Sequence, residues 1–104
     1  MNPASATPLP AVCGVVVTFH PEPTLLTTLV LLVQECGRVI VVDNGSGPAV
    51  CGRLATVTGV EVIALPTNLG VAAALNRGAI RARELGATWM VTFDQDSRPR
   101  PGMV

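Results

Sequence analysis

Residues 12–19, "VCGVVVTF", form an apolar, valine-rich run closed by His20-Pro21. With no polar alternation the run has no face to offer water, so it reads as a strand buried on both sides. Such a strand needs helical cover, and the chain supplies it. Leu25, Leu29, Leu32, Val33 and Cys36 recur at helical spacing after Pro23, and Gly37 ends the pattern, which predicts a helix over about 22–36. Val39–Val42 is a second strand, stopped by the turn-rich Asp43-Asn44-Gly45-Ser46-Gly47. Residues 48–58 are weakly helical, and Val60–Leu65 is a third strand ending at Pro66. A long helix follows, with Val71, Leu75, Ala79, Ala82 and Leu85 on one face, Arg77, Arg81 and Glu84 on another, and Gly86 at its end. Thr88–Phe93 is a fourth strand. Strands and helices that alternate in this way predict the α/β class, a parallel sheet with helices on both faces.

Composition narrows the function. A chain of 104 residues with 49 % hydrophobic residues holds about one domain with an ample core. Seven arginines balance seven acids and lysine is absent, so no basic field exists to attract nucleic acid. Cys13, Cys36 and Cys51 are odd in number and form no C-x-x-C pair, which suggests neither a disulfide framework nor a zinc site and fits a reducing cytoplasm. The opening MNPASATPLP lacks a signal pattern, and the longest apolar segment, Leu25–Val33, is too short to span a bilayer. The expectation is a cytoplasmic protein, with peripheral association at the inner face of the membrane left open.

The acids are distributed unevenly. Ligands of open α/β sheets bind outside the carboxyl ends of the strands, and Asp43, Asp94 and Asp96 all fall at such ends. Asp94 and Asp96, one residue apart, repel each other unless a cation stands before them, and a divalent metal is the usual candidate. Glu22, Glu35, Glu61 and Glu84 read instead as solvated charges.

On this frame four segments become specific: "VVVTFHP" at the first strand, "VIVVDNGS" at the second, "NLGVAAALNRG" before and into the long helix, and "FDQDS" after the fourth strand. Together they resemble the family 2 glycosyltransferases of GT-A fold, and the spelling "DQDS" looks most like the bacterial rhamnosyltransferase branch. The resemblance covers about residues 12–102 and implies a Rossmann-like sheet, the nucleotide-binding half of a GT-A fold.

The resemblance also implies roles. Asp96 would hold Mg²⁺ or Mn²⁺, with Asp94 on the metal or the ribose; a strand-end turn with aspartate as a helix cap is the bland alternative. Asp43 would accept a hydrogen bond from the nucleotide base, or in some members from the ribose; the bland alternative is an ordinary Asp-Asn-Gly turn. Thr18, Phe19 and His20 match the base-pocket segment, where His20 reads more readily as a surface side chain than as a catalyst. Asn68 and Gly70 match the loop near the nucleotide, and Asn76, with Arg77, the helix segment near the diphosphate. Arg98 and Arg100 match phosphate partners or a solvated loop. The general base of the family would lie beyond Val104, so residues 12–104 read as a truncated donor half behind a flexible Pro-rich leader, 1–11. The implied reaction transfers L-rhamnose from dTDP-rhamnose, or a UDP-linked sugar, to a polysaccharide or lipid-linked acceptor with inversion. The alternative is a non-catalytic nucleotide-binding or structural module. An uncovered sheet edge suggests a homo-oligomer.

Overall fold

The computed structural model describes residues 12–96. Strands β1 (Val12–Thr18), β2 (Arg38–Asp43), β3 (Val60–Ala64) and β4 (Trp89–Asp94) form one parallel sheet in the order β3-β2-β1-β4. Helices α1 (Leu25–Cys36), α2 (Pro48–Leu54) and α3 (Val71–Glu84) connect them. The expected α/β class and parallel sheet are as read from the sequence.

Strand parity sorts the core into two layers. Val16, Val39, Val41 and Phe93 pack under Leu25, Leu29 and Leu32 of α1 and Leu54 of α2. Cys13, Val15, Ile40 and Val42 pack on the opposite face with Ala74 and Ala82 of α3. Val39 through Val42 are fully buried because alternate residues serve both layers. At about 25 cal/mol per Å² of apolar surface, burying one such valine contributes about 1.5–3 kcal/mol.

Three local details differ from the expected pattern. First, α1 begins at Leu25 rather than near residue 22, because Leu25 and Leu26 donate to the carbonyls of Glu22 and Pro23 in tighter i→i+3 bonds. Second, α2 stops at Leu54, and the threonines and valine of Thr56-Val57-Thr58 disfavour its continuation. Third, the packing face of α3 is rotated: Ala74, Gly78 and Ala82 are buried, while Val71 is 62 % exposed. Small residues at i, i+4 and i+8 bring this helix close to the sheet. A Cβ on Gly78 would lie 2.5 Å from Val15 Cγ1 and 3.3 Å from Val42 Cγ2.

Glu61 and Glu84 are not simply solvated. The Arg81 guanidinium donates from Nε to Glu61 Oε2 at 2.6 Å, from Nη2 to Glu61 Oε1 at 3.1 Å, and from Nη1 to Glu84 Oε1 at 3.2 Å, joining α3 to β3. The three cysteines are free thiols. No helix among the described residues is long and apolar enough to cross a membrane. The 1–11 leader, Arg98 and Arg100 lie outside the described residues.

Candidate functional site

From β1 the chain steps outward to β2 and β3, and then α3 carries it back across to β4 on the other side of β1. The strand order thus reverses at β1, which is where α/β sheets open a crevice at their carboxyl ends. A cleft of about 660 Å³ lies there, lined by Val17, Thr18 and Phe19 from β1 and its exit, Asn44 just after β2, Asn68, Gly70 and Val71 from the entry to α3, and Asp94 at the end of β4 with Gln95 and Asp96 in the turn after it. That volume is within the usual range for small-molecule sites, about 300–1,000 Å³.

Each wall has a local cause. Phe93 turns into the α1/α2 layer, so Asp94 beside it turns to the α3 face, and Asp94 and Asp96 are both exposed at the cleft. Asn44 follows β2 with the parity of Ile40 and Val42 and is 2 % exposed. Its side chain accepts from Leu69 N–H at 3.1 Å and donates to the Gly70 carbonyl at 3.2 Å, pinning the 68–70 loop to the sheet. Asn68 closes that loop by accepting from Gly70 N–H at 2.8 Å. Gly70 precedes α3 at φ 89°, a conformation that disfavours other residues, and leaves the first turn of α3 open to the cleft.

Asp43 does something else. It has the parity of Val39 and Val41, is fully buried, and is not among the cleft residues. Thr18 Oγ1 and Ser46 Oγ donate to Oδ1 at 2.6 and 2.8 Å; Ser46 N–H and the Cys51 thiol donate to Oδ2 at 2.7 and 3.6 Å. Burial pushes this carboxyl up, but the hydrogen bonds from Thr18, Ser46 and Cys51 outweigh it and hold the group below the ordinary aspartate value. Burial, followed by the charge of Asp43, pushes the Cys51 thiol up, so it remains a protonated donor. All four acceptor positions are occupied from within the chain. The structure thus places Asp43 behind the cleft wall rather than on its lining.

The segment after β1 is held from two sides. Phe19 N–H donates to Gln95 Oε1 at 2.8 Å, and Gln95 Nε2 donates back to the Phe19 carbonyl at 3.2 Å. His20 N–H donates to Ser46 Oγ at 2.8 Å, and its ring lies against Phe19 with centroids 4.2 Å apart. These N–H groups are committed internally, so side chains and spare carbonyl lone pairs remain for a ligand. His20 does not line the cleft, and Asn76 is exposed on α3 away from it. Of the residues singled out from the sequence, the structure brings Thr18, Phe19, Asn68, Gly70, Asp94 and Asp96 together around the cleft. Asn44 and Gln95 are additions, and the one signal for them was adjacency to aspartates at strand ends.

Among the described residues no group of three or more His, Cys, Asp or Glu side chains could hold a metal. The carboxylates of the cleft are Asp94 and Asp96. Two hard oxygen donors hold an ion such as Mg²⁺ only together with water and ligand oxygens.

The sequence has the companions that this geometry suggests. Residues 14–104 match the model of glycosyl transferase family 2. A dTDP-rhamnosyl transferase, RfbF, of Shigella flexneri is 40 % identical over 89 residues, covering 84 % of this chain and 30 % of that protein. A galactofuranosyltransferase, GlfT1, of Mycolicibacterium smegmatis is 37 % identical over 95 residues, again 85 % of this chain and 30 % of the relative. The chain thus spans under a third of the length of these relatives. Since the family match runs through β1, β2, α3 and the Asp94–Asp96 turn, the chain belongs to glycosyl transferase family 2.

Proposed function

We propose that residues 12–96 form the donor-binding part of an inverting glycosyltransferase that takes L-rhamnose from dTDP-rhamnose and passes it to a polysaccharide or lipid-linked acceptor at the cytoplasmic side of the membrane. The observation that carries this reading is the meeting of Asp94 and Asp96 with Asn44, Asn68, Gly70 and Thr18 around one cleft at the reversal of the strand order. The likeness to a dTDP-rhamnosyl transferase supports the choice of donor.

The roles follow from the chemistry present. Asp96, with Asp94, holds Mg²⁺ or Mn²⁺, and the exposed oxygen donors fit a hard ion whose other ligands are water and diphosphate. When bound, that ion neutralises charge on the departing nucleoside diphosphate. The open first turn of α3 offers backbone N–H groups and the positive end of the helix to the same phosphates. Asn44, after its two bonds to the 68–70 loop, retains one amide hydrogen and one oxygen lone pair, which complement the donor and acceptor edge of thymine or uracil. Asp43 supports this wall from behind by holding Thr18 and Ser46.

Calorimetric titration of dTDP into the chain, with and without Mn²⁺, tests the reading. The expected result is binding that Mn²⁺ tightens by a factor of about 5–150, the usual span of coupling between sites. Asp96→Ala should abolish that gain, whereas Asn44→Ala should weaken dTDP in both conditions. Absence of binding by dTDP and UDP in either condition would overturn the reading and leave a structural module.

A further inference from the structure

We infer that Gln95 is a positioning residue that locks the exit of β1 and the Asp94–Asp96 turn into one unit, so that the nucleotide-facing and metal-facing walls of the cleft move together. This rests on the donor-binding reading above. The side chain sits between the two carboxylates in sequence, yet its amide is turned to the main chain of a residue 76 positions away. It accepts from Phe19 N–H at 2.8 Å and donates to the Phe19 carbonyl at 3.2 Å, satisfying both backbone groups of one residue. A primary amide is the side chain that can do this, because it carries a donor and an acceptor side by side.

The pairing extends the β1–β4 ladder beyond its end. Backbone pairing of these strands finishes at Val17 opposite Asp94, so Phe19 and Gln95 lie just past the last register pair. Without the amide, the two segments that carry the cleft's aromatic side chain and its carboxylates would leave the sheet independently. The clamp also removes the Phe19 N–H from the ligand's reach while leaving Asp94 and Asp96 free of intramolecular bonds to Gln95. On the other flank Ser46 holds His20, so the β1 exit is pinned from both neighbouring strands. His20 adopts φ 45°, and such left-handed backbone at a non-glycine residue persists only where its surroundings fix it.

The test has a ligand-free arm and a binding arm. Amide hydrogen exchange of the intact chain, followed by NMR, should show Phe19 exchanging about ten-fold faster in Gln95→Met while Val15 and Val16 are unchanged. Gln95→Glu keeps the acceptor and should retain protection at Phe19, which separates loss of the bond from general loosening. Phe19 exchange unaltered in Gln95→Met would overturn the clamp, whatever the chain binds. In the binding arm, Gln95→Met should lose most of the Mn²⁺ gain in dTDP affinity, since the coupling between the two walls is what has been cut. Full retention of that gain would overturn the positioning role. If the unmodified chain binds neither dTDP nor UDP, the donor-binding reading falls, and the exchange at Phe19 still decides whether the clamp exists.

Discussion

Asp43 and Asn44 are neighbours in the chain and serve opposite sides of the sheet: the carboxylate ties β1 to α2, and the amide ties β2 to the entry of α3. An acid with four donors around it cannot be exchanged for an amide without setting an N–H against another donor. Asp43→Asn should therefore cost about 1–6 kcal/mol, one or two unsatisfied buried groups at about 1–3 kcal/mol each, read from urea midpoints at neutral pH. The pH dependence has a definite sign. The folded carboxyl lies below its unfolded value, so its contribution is full above the ordinary aspartate range, near pH 4, and is lost as the pH falls through the folded value. Unmodified protein should lose stability on acidification below about pH 4, and Asp43→Asn should be weaker at neutral pH with a flatter acid limb. A limb of unchanged slope in the variant would count against this account. Which of the two neighbours faces the cleft was not legible in "VIVVDN", since β2 is buried on both faces and carries no alternation to reveal its parity.

At the scale of elements, α3 shows how a helix is placed by what its residues lack. The line of Ala74, Gly78 and Ala82 lets its axis settle close to β1 and β2, and Gly78 is the tightest point. In Gly78→Ala the better helix propensity opposes a collision with Val15, a fully buried β-branched side chain with little rotamer freedom. The collision should win by about 1–3 kcal/mol. A thermal midpoint lowered by several degrees would agree, and an unchanged or raised midpoint would not. The order of strands and helices was readable because valine-rich runs and glycine stops punctuate the chain clearly. The buried face of α3 was not, because alanine and glycine carry a weak hydrophobic signal and the larger Val71 drew the predicted stripe toward the cleft rim. The Gln95 bridge was also illegible, since it joins two segments 76 residues apart through a side chain with no charge to betray a partner.

Across the whole molecule, β4 is the exposed flank. Among the described residues its one strand partner is β1, and Trp89 and Met90 at its start are 63 % and 40 % exposed. An apolar edge of this kind pairs readily with another strand. We expect self-association at high micromolar concentration, visible by light scattering as a mass above 10.7 kDa, and a return to that mass in Trp89→Lys. A monomer throughout would remove the edge as an assembly surface. The sheet order has a consequence in time as well. β1 gains its first neighbour at Asp43 but its second only at Asp94, 94 − 43 = 51 residues later. At the ribosome's pace of about 5–20 residues per second, the most apolar strand waits roughly 3–10 seconds with one side open. The piece that ends that wait also bears Asp94, Gln95 and Asp96, so the nascent chain acquires the carboxylates of the cleft and the second neighbour of β1 in the same moment.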